Sequence, residues 1–144
     1  MILAIVSSVI FFDQLSKSLA IRFLQLNTPV VLIKDFLYLT LVNNRGAAFG
    51  MLKNQLFLFV AISCLAILFI FFHLKNKKHP LLFKISLSLI LSGAAGNLID
   101  RLRFGYVVDF LDFRIWPVFN LADSALTIGA LLLSWELLFN KNVA

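Results

Sequence analysis

A chain of 144 residues that is 61% hydrophobic and only 14% charged does not have the make-up of a water-soluble domain, which is about half apolar and a quarter charged. Four membrane spans of about 20 residues each would leave roughly 64 positions, enough for loops and a small surface module but too few for a second soluble domain. The 13 Lys and Arg against 7 Asp and Glu, net +6, fit membrane topology and anionic lipid better than nucleic acid.

Four apolar stretches follow one another, at about 2–23, 55–72, 81–99 and 118–139, and residues 1–144 read as a single membrane domain. Pro29, Pro80 and Pro117 lie outside these stretches or at their margins, where a helix tolerates proline. The first stretch is too long and too polar near its end for a cleaved signal peptide and lacks a basic leader. It reads as a retained span, and because it starts almost at Met1, native residues are expected upstream. Segment 30–42, rich in β-branched and aromatic residues around Lys34-Asp35, is too short to span as a helix and predicts a strand pair on the outer surface. Asn43-Asn44-Arg45-Gly46 then supplies turn chemistry. Cys64, the only cysteine, excludes an internal disulfide and reads as a small buried thiol.

The loop 73–80 holds Lys75, Lys77 and Lys78 and is placed in the cytoplasm by the positive-inside rule, with Lys141 in agreement. Both termini are then cytoplasmic, and segments 24–54 and 100–117 face outward. His73 and His79 flank this cluster and no HExxH occurs, so a zinc protease has little support.

Polar residues inside the spans are costly in lipid and mark candidate sites. Asp13 and Lys17 share a helix face, as an ion pair that is structural, functional or both, with Lys17 reaching outward. In the third stretch Gly93-Ala94-Ala95-Gly96 permits close helix approach, and Gly93, Asn97 and Asp100 share a face with Arg101 beside them. In the fourth, Asn120, Asp123, Ser124 and Thr127 form a stripe, which also reads as an N-cap with a capping-box acid. At about 1.5 Å per residue, Lys17, Asn97 and Asp123 each lie roughly 22–25 Å from the cytoplasmic end of their span. One level therefore collects carboxylates, amides, a lysine and an arginine, and the loop carrying Asp109 can fold back onto it. Two aspartates sharing a proton would supply acid and base to a water. A Ser–Lys enzyme would have to use Lys17 with Ser16 or Ser124. A small proton-coupled transporter built on the same Asp and Lys is the alternative outside hydrolysis, although the cytoplasmic halves of the third and fourth spans carry few polar residues.

The motifs Asp13-Gln14-Leu15-Ser16-Lys17, Asn44-Arg45-Gly46-Ala47-Ala48-Phe49, Gly93-Ala94-Ala95-Gly96-Asn97-Leu98-Ile99-Asp100-Arg101, Val107-Val108-Asp109-Phe110 and Phe119-Asn120-Leu121-Ala122-Asp123-Ser124 together resemble the bacterial lipoprotein signal peptidase, or signal peptidase II, family. The resemblance implies an all-α polytopic membrane protein: four transmembrane helices, a small extracytoplasmic β-cradle, matching 30–42, and a short interfacial helix, matching 46–52. It implies an aspartyl endopeptidase of the bacterial inner membrane that cuts prolipoproteins before a diacylglyceryl-modified cysteine. Catalysis would fall to Asp109 and Asp123, with Asp13, Lys17, Asn44, Asn97, Asp100, Arg101 and Asn120 binding substrate or supporting the site. No cofactor or metal is implied. Partners are the diacylated signal peptide and membrane lipid, not nucleic acid, and a monomer is expected. The active site would lie near the outer leaflet. The chain departs from the family in lacking a basic leader and in its compact last loop.

Overall fold

A computed structural model describes residues 1–46, 54–75 and 79–140. Helix α1 runs over Ile2–Phe23, strands β1 and β2 over Val30–Ile33 and Leu37–Asn44, helix α2 over Leu56–Leu74, helix α3 over Leu81–Phe104, strand β3 over Val107–Asp112 and helix α4 over Leu121–Phe139. All four helices are long and apolar enough to cross a membrane. The expected interfacial helix at 46–52 and the lysines Lys77, Lys78 and Lys141 fall wholly or largely outside the described residues.

Helix α3 is the hub, packing against α1, α2 and α4. Its buried face reads Phe83, Ser86, Leu87, Ser88, Ser92, Gly93, Gly96, Asn97 and Asp100, whereas α2 fully buries only Ile70 and turns much of its apolar surface outward, as a lipid-facing helix does. Cys64 is on that outer surface, so the expectation of a buried thiol is corrected: an apolar run in lipid need not face protein. Glycines set the α3–α4 and α3–α1 distances. A Cβ at Gly93 would collide with the Ala122 carbonyl oxygen, and one at Gly96 would sit 2.6 Å from Asp13 Oδ2.

Two differences from the sequence expectation bear on the site. Helix α3 continues through Asp100 and Arg101 to Phe104 instead of ending near Ile99. Arg101 and Arg103 suit the negative end of the helix dipole, and the stop comes at Gly105, whose φ of +78° is left-handed and whose N–H bonds the Arg101 carbonyl. Asn43 and Asn44 are not turn residues but the end of β2, because β3 pairs with them: Asn43 opposes Val108 and Asn44 opposes Val107. The strand pair of 30–42 is thus part of a three-stranded antiparallel sheet in the order β1-β2-β3. Ala20, Leu41, Val108 and Phe110 form the core between this cradle and the end of α1.

Candidate active site

The polar residues of α1, α3, β2, β3 and α4 meet in two connected groups. The first is a charged triad between α1 and α3. Lys17 is 2% exposed and does not reach outward. Its Nζ lies 2.9 Å from Asp13 Oδ2 and 2.9 Å from Asp100 Oδ2 and donates to Asn97 Oδ1 at 3.0 Å. Those three acceptors match the three N–H bonds of an ammonium group. The ion pair read from the sequence is therefore an Asp–Lys–Asp triad, and Asp100 belongs to it. Gln14, to which its sequence position alone assigns no role, ties the two acids together: its Nε2 is 3.2 Å from Asp13 Oδ2 and 3.0 Å from Asp100 Oδ1.

The second group surrounds a cavity of about 350 Å³ whose lining includes Asn44, Asn97, Arg101, Asp109, Asp123 and the apolar Phe59. Asp109 lies on the strand β3 and not in a loop, and Val107-Val108 and Phe110-Leu111 carry the β signal. Its Oδ2 accepts from Asn44 Nδ2 at 2.9 Å and its Oδ1 from Asn120 Nδ2 at 2.6 Å. Asp123 sits in the first turn of α4, where Asn97 Nδ2 donates to its Oδ1 at 2.7 Å.

Asn120 does both jobs weighed from the sequence. Its Oδ1 caps α4 by accepting from the Asp123 N–H at 2.8 Å, and Asp123 Oδ2 accepts in return from the Asn120 N–H, which completes a capping box. The other end of the same amide donates to Asp109. One fully buried side chain thus fixes the helix start and bridges the two aspartates. Arg101 lies on the cavity side of α3 with its guanidinium 4.9 Å from the centre of the Phe59 ring.

Two backbone amides connect the groups. The Ala122 N–H donates to Asp13 Oδ1 at 2.9 Å and the Val108 N–H to Asp100 Oδ2 at 3.0 Å. Each amide precedes one cavity aspartate in the chain.

Asp109 is 1% exposed, and its carboxyl is pushed up to about 7 from the usual carboxylate range. Burial is the main cause and the neighbouring Asp123 charge adds to it, while hydrogen bonds from Asn44 and Asn120 and the Lys17 charge oppose it. An acid of this kind holds a proton near neutral pH and can give it up in a reaction.

Rival chemistries lose their parts in the same arrangement. Ser16 Oγ donates to the Asp13 carbonyl and Ser124 Oγ to the Asn120 carbonyl, and Lys17 has all three donors engaged elsewhere, so no Ser–Lys pair forms. His73 bonds the Phe69 carbonyl and His79 stacks on Phe83, far along α2 and α3 from the cavity. The buried Ser86, Ser88 and Ser92 close onto carbonyls of their own helix and form no chain of side chains across the bundle. Among the described residues, no group of three or more His, Cys, Asp or Glu converges to hold a metal ion.

A second cavity, about 430 Å³, opens beside the first and shares Asp123, Trp116, Phe119 and Thr127 with it; its other walls are Phe113, Ile115, Ser124 and Ile128. This lining is mostly apolar, with Asp123, Ser124 and Thr127 contributed by α4.

Residues 5–139 match the family described as signal peptidase (SPase) II. The chain is 48% identical over 133 residues to the lipoprotein signal peptidase of Halothermothrix orenii, covering 92% of each. To that of Moorella thermoacetica it is 51% identical over 132 residues, covering 90% of this chain and 87% of that one. A solved bacterial membrane enzyme structure, determined by the in meso method at 2.3 Å resolution, matches with a TM-score of 0.90 at 35% identity, over 97% of this chain and 90% of that chain.

Proposed function

The chain belongs to the signal peptidase II family, intramembrane aspartyl endopeptidases of the bacterial inner membrane that remove lipoprotein signal peptides, and on that premise we propose that Asp109 and Asp123 are its catalytic pair. The observation that carries the proposal is that two aspartates from different elements line one cavity and are bridged by the single amide of Asn120.

The unequal surroundings of the two acids suggest their roles. The Asp109 carboxyl is pushed up to about 7 and so carries a proton about half of the time at neutral pH. In its protonated form it hydrogen-bonds the scissile carbonyl oxygen, while Asp123 in its ionised form takes a proton from water as its oxygen attacks the carbonyl carbon. The carbonyl oxygen takes the Asp109 proton, giving a neutral geminal diol. Asp123 then passes its proton to the amide nitrogen as the C–N bond breaks, and one diol hydroxyl returns a proton to Asp109. Both acids end as they began. Asn97 holds the base through its Oδ1, Asn44 holds the acid, and Arg101 faces the cavity where it can bind a substrate carbonyl or developing negative charge.

The substrate of this reading is a prolipoprotein cut before a diacylglyceryl-modified cysteine. The apolar cavity that shares Asp123 with the polar one supports it, since acyl chains seated there would bring the lipidated residue against the scissile bond. The site opens near the outer leaflet, and both termini and the loop at 73–80 are cytoplasmic, as the lysine cluster argues. Both aspartates come from one chain, which supports a monomer built as one membrane domain. Purified enzyme given matched diacylated and non-acylated prolipoprotein peptides tests the whole. The lipidated form should be cut far faster, and Asp109→Asn and Asp123→Asn should each abolish cleavage while still accumulating. Turnover by either variant would remove that residue from the pair, and equal rates on both peptides would point to a general intramembrane aspartyl protease.

A further inference from the structure

The triad of Lys17, Asp13 and Asp100 lies outside the cavity lining, yet each of its parts ends on a group that precedes a cavity aspartate in the chain or hydrogen-bonds one. Asp13 Oδ1 holds the Ala122 N–H, one residue before Asp123. Asp100 Oδ2 holds the Val108 N–H, one residue before Asp109. Lys17 itself donates to Asn97 Oδ1. Asn120 Nδ2 also donates to that oxygen, so the Asn97 amide has a single orientation open to it and must aim its Nδ2 at Asp123.

We propose that Lys17, Asp13 and Asp100 are positioning residues for peptide-bond cleavage: Lys17 clamps two carboxylates that each anchor the backbone beside one catalytic aspartate, and so sets β3 and the first turn of α4 at a fixed separation. The proposal rests on the assignment of Asp109 and Asp123 as the catalytic pair. The strand β3 and the first turn of α4 are consecutive elements joined by a short connection with a left-handed residue at Arg114. The clamp registers both against α3. Gln14, whose Nε2 contacts Asp13, Asp100 and the Gly96 carbonyl, braces the two acids.

The two acids are not used alike. Asp13 divides its tasks, with Oδ1 on the Ala122 amide and Oδ2 on Lys17. An asparagine there offers one acceptor oxygen, so it must give up either the backbone anchor or the lysine. Asp100 performs both tasks with the same oxygen, since Oδ2 accepts from Lys17 and from the Val108 N–H. Asparagine at 100 keeps both contacts if its Oδ1 takes that place; its NH₂ then faces the Gln14 Nε2 donor, so what is lost is the Gln14 contact and not the lysine or the backbone anchor.

The test compares Asp13→Asn, Asp100→Asn and Asp109→Asn with the parent in detergent, measuring kcat and KM on a diacylated prolipoprotein peptide and thermal unfolding on the same samples. Displacing an oriented catalytic group typically costs about 10–100-fold in rate. Asp13→Asn should therefore lower kcat at least about tenfold further than Asp100→Asn, with KM little changed. A role confined to charge balance would affect both equally, because each variant removes one of the two negative charges around Lys17. Equal losses of kcat, the reverse order, or a loss confined to KM would overturn the clamp. If Asp13→Asn does not accumulate, Asp100→Asn decides alone: a kcat loss beyond about tenfold overturns the proposal and a smaller one supports it. Turnover by Asp109→Asn would instead sink the catalytic-pair reading, whatever the other two variants do.

Discussion

Asp109 should make the protein less stable as pH rises, and replacing it should remove that dependence. In the folded protein its carboxyl titrates near 7, against 3.8 for the ordinary side chain. Between those values the folded state keeps a proton that the unfolded chain has lost, so stability is fully present below about pH 4 and falls as pH rises through 7. At about 1.4 kcal/mol per unit, the penalty reaches about 4 kcal/mol once the acid is ionised, of which about 3 kcal/mol accrues between pH 5 and pH 8. Asp109→Asn cannot ionise and escapes all of it. The amide has a cost of its own, because Asn44 and Asn120 donate to different oxygens of this side chain and asparagine keeps only one of them, leaving one donor unpaired. That loss, about 1–3 kcal/mol, is the same at every pH. The informative quantity is therefore the change in the difference between variant and parent, not its sign at one pH. Reversible unfolding in mixed micelles at pH 5, 6.5 and 8 reads it directly. The variant should gain about 3 kcal/mol on the parent across this range. A flat difference would mean that Asp109 is an ordinary ionised carboxylate in the folded protein, and the assignment of it as the reaction's acid would fall with it.

Three further outcomes follow from the geometry. Asn120→Asp keeps an oxygen for the helix cap but removes the donor to Asp109, so folding should persist while kcat falls about 10–100-fold; activity within twofold of the parent would reduce Asn120 to a cap. Gly96→Ala places a Cβ 2.6 Å from Asp13 Oδ2 and should cost about 1–3 kcal/mol in the same unfolding assay, whereas an unchanged midpoint would show that the α1–α3 seam yields freely. In a Cys64→Ala background, Lys34→Cys should react with an impermeant thiol reagent from outside the cell and Lys77→Cys only after permeabilisation; the opposite pattern would invert the topology.

What was legible in the sequence had either a period or a cost. The four helices announce themselves by twenty-residue apolar runs, and Asp13, Lys17, Asn97 and Asp123 stand out because polar groups are expensive there. Equal depth along alternating spans then brings them to one level without any knowledge of packing. What escaped depended on partners distant in sequence. Whether 107–112 is a strand depends on β2 being alongside, and the same pairing turns Asn43-Asn44 from a turn into a strand end. Gln14 looks like any polar neighbour until α3 supplies Asp100 and the Gly96 carbonyl. The Asp13–Lys17 pair, complete by its i,i+4 spacing, concealed the need for a third member. That omission has an energetic consequence. For an isolated pair, replacing both partners by apolar residues would restore stability lost on replacing one, but here the double change leaves Asp100 charged and buried without its lysine, at a typical cost of about 3–5 kcal/mol.

The triad also bears on why one cavity aspartate can hold a proton near neutral pH in a site with two cations. Four carboxyl groups, those of Asp13, Asp100, Asp109 and Asp123, share the neighbourhood with Lys17 and Arg101. A lysine placed directly between Asp109 and Asp123 would favour ionisation of both and leave no proton to give. Lys17 is instead held by Asp13, Asp100 and Asn97, with every donor engaged, and its effect on Asp109 is the weakest of the named influences there. Burial and the Asp123 charge then prevail at Asp109. Arranged this way, the lysine is engaged by the residues around the two cavity aspartates without neutralising either of them directly, and the asymmetry on which acid–base catalysis by two like groups would depend is kept.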